Sequence, residues 1–245
     1  MESTTATEAD VRRLGSFNVS AVEQISLAVF DMAGTTVTDD GLVVHAFEAA
    51  ATAAGMPVDG PERLHGRQFV LDTMGQSKIE VFRALLGSED RAQTANAAFE
   101  DTYNKAIDGG VTAVPGAAEA IGRLRAAGIT TAFITGFSAP TQDRIVRALG
   151  WQDLADHVLA PGDGVRGRPY PDLVLAAALR AQVDDVAHVA VVGDTSSDIL
   201  TGRRAGAGVV AGVLTGAHDV DALQAAGATH VLDSVADVAA LLLQF

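Results

Sequence analysis

The chain of 245 residues contains no cysteine, which removes disulfides, thiolate nucleophiles and cysteine metal sites from consideration. Lysine is almost missing too: of 17 basic residues only Lys78 and Lys105 are lysines, and the rest are arginine. Aromatic residues make up 5 % of the chain against 48 % hydrophobic. Ala, Val, Leu and Gly must therefore do the apolar packing, which suits helices laid closely on a parallel sheet. Positive charge is scarce, with a formal net charge of -14, and this argues against nucleic acid or an anionic membrane as a main partner. An anionic substrate would then need positive charge gathered locally or supplied by a metal. No apolar run approaches the roughly 18 to 20 residues of a membrane span. Residues 1–20 are polar, include Glu2, Glu8 and Asp10, and lack the apolar stretch of a signal peptide. These features predict a cytoplasmic protein with a flexible tail over residues 1–22.

What is present is an alternation. Short β-branched runs at 25–30, 129–134 and 188–192 each end in a polar or glycine-bearing turn, and weaker ones lie at 157–159, 209–214 and 230–232. Near-continuous apolar runs of this length read as parallel strands buried on both faces. Helical patterns fall between them at 115–127, 140–149, 171–181 and 196–205. Strand–helix alternation predicts a doubly wound, Rossmann-like α/β core over 23–38 and 113–245. The interval 39–112 breaks the rhythm: helix-period apolar residues run through 43–54, 79–86 and 94–107, with no convincing strand. An insertion after the first strand, at the carboxyl edge of the sheet, would cover the ligand crevice as a helical cap.

Four segments carry chemistry. Asp31-Met32-Ala33-Gly34-Thr35-Thr36 follows the first strand directly, so Asp31 either faces the crevice or caps the following turn. Thr135-Gly136 ends the second core strand and offers a hydroxyl and backbone N–H groups to an anion. Gly167-Arg168-Pro169-Tyr170-Pro171 presents one guanidinium from a stiff loop, or else a solvated loop charge. Gly193-Asp194-Thr195-Ser196-Ser197-Asp198 ends another strand with two carboxylates four residues apart. Oxygen ligands at strand ends suit Mg²⁺, which takes one or two carboxylates beside waters and a phosphate oxygen; an N-cap followed by an exposed acid is the plainer account.

In order and spacing these segments resemble the haloacid dehalogenase superfamily of hydrolases, across roughly residues 25 to 206. The resemblance implies an aspartyl-phosphate on Asp31, with Mg²⁺, Thr135 and Arg168 neutralising the transferring oxygens and Gly136 and Thr35 helping to bind phosphate. It further implies a metal site of Asp31, the Ala33 carbonyl, Asp194 and Asp198. Phosphatases of the superfamily carry a second Asp two positions after the nucleophile to protonate the leaving group; Ala33 has no proton to give. The D-x-A-G-T-T pattern and the arginine of GRPYP are similar to those of the phosphonoacetaldehyde hydrolase (phosphonatase) subfamily.

In that subfamily a cap lysine condenses with the substrate aldehyde, and Lys78 in Met74-Gly75-Gln76-Ser77-Lys78-Ile79-Glu80 stands at the matching position. A lysine kept in an arginine-biased chain suits a Schiff base, which arginine cannot form. Ser77 and Glu80 have capping-box spacing, which would put Lys78 in a first helical turn, where the macrodipole favours the neutral amine. A surface lysine is the bland account. The expected activity is hydrolysis of a small organophosphorus metabolite, phosphonoacetaldehyde foremost. The alternatives are a phosphatase resembling phosphoglycolate phosphatase and, more remotely, a non-catalytic phosphate-binding module. The apolar helix at 43–54 could pair two caps in a homodimer, as in related enzymes.

Overall fold

The computed structural model describes residues 24–245; the tail expected over 1–22 lies outside them. Six strands form one sheet: β1 (Leu27–Phe30), β2 (Thr130–Ile134), β3 (His157–Leu159), β4 (Val189–Gly193), β5 (Val209–Val213) and β6 (His230–Leu232). Their order is β3-β2-β1-β4-β5-β6, and every pairing is parallel. The chain winds outward from β1 in one direction, then returns to start β4 on the other side. That reversal is the topological switch point, where open α/β sheets form their ligand crevice. The residues after β1 and β4 meet there, because Phe30 is in register with Val192.

The strands read as continuous apolar runs because both faces are covered. Ala28, Phe30, Phe133, Ala190 and Val192 face one core, whereas Leu27, Val29, Ala132, Val189 and Val191 face the other. This is the period-two alternation of a pleated strand with neither side left to water.

Between β1 and β2 lie α1 (Leu42–Ala53), α2 (Pro61–Asp72), α3 (Lys78–Leu86) and α4 (Glu89–Gly109), followed by α5 (Ala117–Ala126). The remaining helices are α6 (Ala139–Ala148), α7 (Asp172–Arg180), α8 (Ser196–Ala205), α9 (Val220–Ala225) and α10 (Val238–Leu242). Helix α2 escapes apolar periodicity because its buried stripe is Arg63, Gly66 and Val70. Arg63 donates to the Glu48 carboxylate at 2.7 Å, to the Glu48 carbonyl at 2.8 Å and to Thr52 Oγ1 at 2.8 Å. A Cβ on Gly66 would lie 3.1 Å from Met56 Sδ. The helix docks through an ion pair and a close approach, where a pattern search expects leucines.

The apolar face of α1 that could have paired two copies is consumed inside the chain. Val43, Ala46, Phe47 and Ala50 are buried, as are Ala92, Ala95, Phe99 and Tyr103 of α4, the helix that α1 packs against. Phe47 stacks on Phe82 at 6.3 Å between ring centroids, and Phe82 meets Phe99 edge-on at 6.0 Å. Removing that ring by Phe47→Ala is expected to cost about 3–5 kcal/mol, the range for a large buried side chain. Urea denaturation of the variant beside the parent measures it.

Candidate active site

Asp31 leaves the end of β1 with its N–H on the Val192 carbonyl at 2.9 Å, so the backbone ladder fixes where its side chain begins. The turn behind it is tight: the N–H groups of Thr35, Thr36 and Val37 all converge on the Met32 carbonyl, at 3.1, 2.8 and 2.8 Å. Gly34 sits there at φ +85°, and a Cβ on it would lie 2.4 Å from Asp194 Oδ2. Only glycine lets the β1 loop approach the β4 loop this closely.

Asp194 follows β4 and accepts from Thr35 Oγ1 at 2.9 Å and from the Ala217 N–H at 2.8 Å. Asp198, one turn into α8, completes a capping box with Thr195: the Thr195 N–H donates to Asp198 Oδ2 at 3.1 Å and the Thr195 hydroxyl at 2.5 Å. The N-cap is therefore Thr195, and Asp198 is fully buried. Arg168 donates through Nη1 to Asp31 Oδ1 at 2.6 Å and also to Asp198 Oδ1, while its Nε is buried without a partner.

Asp31, Asp194 and Asp198 each offer an oxygen within 4.8 Å of the others. Three buried carboxylates face one buried guanidinium, so the cluster holds more negative than positive charge. Burial pushes the Asp31 carboxyl up to about 6 against the pull of Arg168. Burial also drives Asp194 well above the usual carboxylate range, with Asp31 and Asp198 adding to the effect. Burial opposes the Arg168 charge, but Asp198 and Asp31 outweigh it and hold the guanidinium protonated. A hard divalent cation fits this oxygen set and would relieve the excess negative charge.

Above the cluster lies a cavity of about 460 Å³ lined by Asp31, Ala33, Thr135, Gly136, Arg168 and Asp194 from the sheet side, and by Asp39, Met74, Gly75 and Lys78 from the helical insertion. Thr35 does not line it; its hydroxyl is committed to Asp194. Asp198 also stays behind the wall, tied to Thr195 and Arg168. The loop Thr215-Gly216-Ala217 is part of the cavity and escaped the sequence reading. It braces Asp194 through Ala217 and the β1 loop through Thr215 Oγ1, which donates to the Gly34 carbonyl at 2.7 Å. Its sequence signal is only a Thr-Gly step after a strand.

Segment 75–78 is wedged among the strand-end loops. The Lys78 N–H donates to the Gly136 carbonyl at 3.3 Å, and Ser197 Oγ donates to the Met74 carbonyl at 2.8 Å. A Cβ on Gly136 would lie 2.5 Å from the Gln76 carbonyl oxygen, and one on Gly167 2.7 Å from Ser77 Cβ. The capping box expected of Ser77 and Glu80 does not form. Ser77 occupies the N-cap position without a side-chain bond, and Glu80 pairs with Arg83 at 2.6 Å in solvent. The Ser77 side chain is packed under Gly167, and the Gly136 carbonyl takes up the helix's free N–H at residue 78. Gly136→Ala is expected to push segment 75–78 off the strand ends and lower kcat/KM about 100-fold, the cost of misplacing a site by roughly 1 Å. Steady-state kinetics with an unchanged melting temperature would mark the effect as local.

Lys78 is the first residue of α3. Its Nζ lies 5.4 Å from the centroid of Phe137 and 5.8 Å from that of Phe99, and it closes no ion pair among the described residues. Burial, aided by the Arg168 charge, lowers its ammonium to about 8. The Asp31 carboxylate, the Lys78 amine and the Thr135-Gly136 turn thus share one cavity.

A doubly wound parallel sheet thus carries a buried acid cluster at its switch point, where open α/β folds place their ligand sites. The chain belongs to the haloacid dehalogenase-like hydrolases, whose family model matches residues 25–206. It is 29 % identical over 219 residues to "Probable phosphatase IndB" of Dickeya dadantii, covering 86 % of this chain and 91 % of that one. It is 27 % identical over 215 residues to phosphonoacetaldehyde hydrolase of Bacillus cytotoxicus, covering 80 % and 78 %. Among solved structures, a phosphonoacetaldehyde hydrolase-like protein from Oleispira antarctica superposes with a TM-score of 0.78 at 24 % identity over 94 % of this chain and 96 % of that one, a likeness of fold.

Proposed function

We propose that the chain is a magnesium-dependent phosphonatase that cleaves the carbon–phosphorus bond of phosphonoacetaldehyde or a similarly short aldehyde phosphonate. One observation carries this reading: Lys78, with its ammonium lowered to about 8, lines the same cavity as Asp31 while Ala33 supplies no leaving-group acid. The helical insertion over 39–112 serves as the cap. Arg168 holds Asp31 Oδ1, leaving Oδ2 to attack phosphorus. Lys78 first condenses with the aldehyde, losing water. When Asp31 attacks, the carbon–phosphorus pair flows into the resulting iminium and leaves as an enamine. Thr135, Gly136 and Arg168 orient the phosphoryl oxygens. Magnesium, held by Asp31, Asp194 and the Ala33 carbonyl with Asp198 behind them, would supply positive charge against those oxygens. Water then cleaves the aspartyl-phosphate, and hydrolysis of the enamine frees Lys78.

Asp39 and Asp40 on the cavity wall favour a neutral aldehyde over a second carboxylate, which weighs against phosphoglycolate. The near full-length likeness to a protein named as a probable phosphatase supports a second reading, a phosphomonoesterase of small metabolites. Phosphate release from phosphonoacetaldehyde, phosphoglycolate and small sugar phosphates, with and without Mg²⁺, decides between them. Turnover of the esters but not of the phosphonate would remove the first reading.

A further inference from the structure

The chemistry outlined for Lys78 needs a proton carrier, and the residues around it narrow the choice. To make an iminium, the amine loses a proton as nitrogen bonds to carbon, and the carbinolamine hydroxyl gains one before it leaves as water. The amine is walled by the rings of Phe99 and Phe137, which carry no exchangeable proton. The charged groups acting on it are Arg168, Asp39, Asp31 and Asp194, and Asp39 leads the carboxylates. Arg168 keeps its protons at neutral pH. Asp31 is reserved for phosphorus, and Asp194 is braced by Thr35 and Ala217. That leaves Asp39.

Its placement suits the task. Val37 bridges Ala33 in parallel and Ala113 in antiparallel fashion, and the Thr38 N–H donates to the Thr112 carbonyl at 2.9 Å. The chain is thus pinned immediately before Asp39, where it leaves the strand-end loop for α1. Asp39 Oδ1 accepts from the Val43 N–H at 3.2 Å, which fixes the carboxylate at the start of α1. Asp39 and Lys78 line the same cavity, and no direct ion pair joins them among the described residues. Burial raises the Asp39 carboxyl above its ordinary value, Lys78 and the Val43 and Gly41 N–H groups opposing and Asp40 adding to the rise. The phenol of Tyr103 also lies within reach of its charge and stays protonated.

We propose that Asp39 is the acid–base group of the Schiff-base half-reaction, taking the proton that Lys78 releases and returning it to the departing hydroxyl. The proposal rests on the phosphonatase reading. In product release the same carboxylate works in reverse, drawing a proton from the water that adds to the imine carbon.

The test is the rate at which borohydride traps phosphonoacetaldehyde on Lys78 at pH 7, followed by mass spectrometry of the peptide containing residue 78. Hydride reduces the iminium to a secondary amine, so each adduct counts one condensation. Asp39→Asn keeps the acceptor for the Val43 N–H and is expected to slow trapping at least 10-fold; Asp39→Glu or added formate is expected to restore part of the rate. A merely electrostatic role gives the opposite sign. Removing the carboxylate that raises the Lys78 ammonium would free more neutral amine and speed trapping. Trapping by Asp39→Asn at or above the parent rate therefore overturns the role of Asp39 alone. No adduct in the parent enzyme overturns the Schiff base itself, and the role of Asp39 with it.

Discussion

Asp31→Asn is expected to abolish turnover, by at least about 10³-fold, because an amide oxygen cannot form the acyl-phosphate. In a metal chelator the same variant is expected to be more stable than the parent. The sign follows from the raised carboxyl. A group lifted from 3.8 to about 6 in the folded chain contributes its full stability only when protonated, below its unfolded value. That contribution is lost as pH rises through about 6, so at pH 7 the folded state carries the whole cost of a buried carboxylate. Each unit is worth about 1.4 kcal/mol. Set against a weaker hydrogen bond from Arg168, the net gain on substitution is on the order of 1–2 kcal/mol. Magnesium is expected to reverse the ranking: a ligand at a hundred times its dissociation constant adds about 2.7 kcal/mol to a fold that binds it, and the variant lacks one carboxylate of the proposed metal site. Melting curves of both proteins in EDTA and in excess Mg²⁺ test the argument. A variant less stable than its parent in EDTA would mean that the carboxylate at 31 is not strained by burial.

The contrast between Asp31 and Asp39 shows what a sequence exposes. Asp31, Thr135 and Asp194 stand at the ends of apolar runs, so strand periodicity alone puts them at the sheet's carboxyl edge, and the parallel order brings them to one cavity. The six strands were legible for the same reason, each to within two residues of its observed ends. Thr35 was legible in its motif but not in its orientation. It turns to Asp194, a partner 159 positions away. Asp39 lies in a polar turn beyond any periodic segment, and its relation to Lys78 exists only once α3 is folded over the strand ends. Helix α2 hid because arginine and glycine fill its buried stripe. The capping box at Ser77 misled because local spacing cannot anticipate that the Gly136 carbonyl occupies the place of a side-chain cap. Local patterns specify elements; close approaches between loops decide what each polar group finally meets.

Lys78→Arg is the substitution that separates charge from chemistry. Arginine keeps a cation beside the phosphoryl site but cannot condense with an aldehyde. Phosphonoacetaldehyde cleavage is expected to fall at least about 10³-fold, because nothing else in the cavity can receive the carbon–phosphorus pair. Loss of the borohydride adduct should accompany it. A phosphatase using Lys78 only to attract substrate would instead keep its rate within roughly 10-fold, the scale of an exchanged ionic contact. The pH profile adds a second sign. With the ammonium near 8, roughly a tenth of the amine is neutral at pH 7, against well under 0.1 % for an ordinary lysine. The parent rate on phosphonoacetaldehyde is therefore expected to climb nearly tenfold per unit below pH 7, bend near 8 and level above it, provided chemistry limits turnover. A profile flat from pH 6 to 9 would show that deprotonation of Lys78 does not control the reaction.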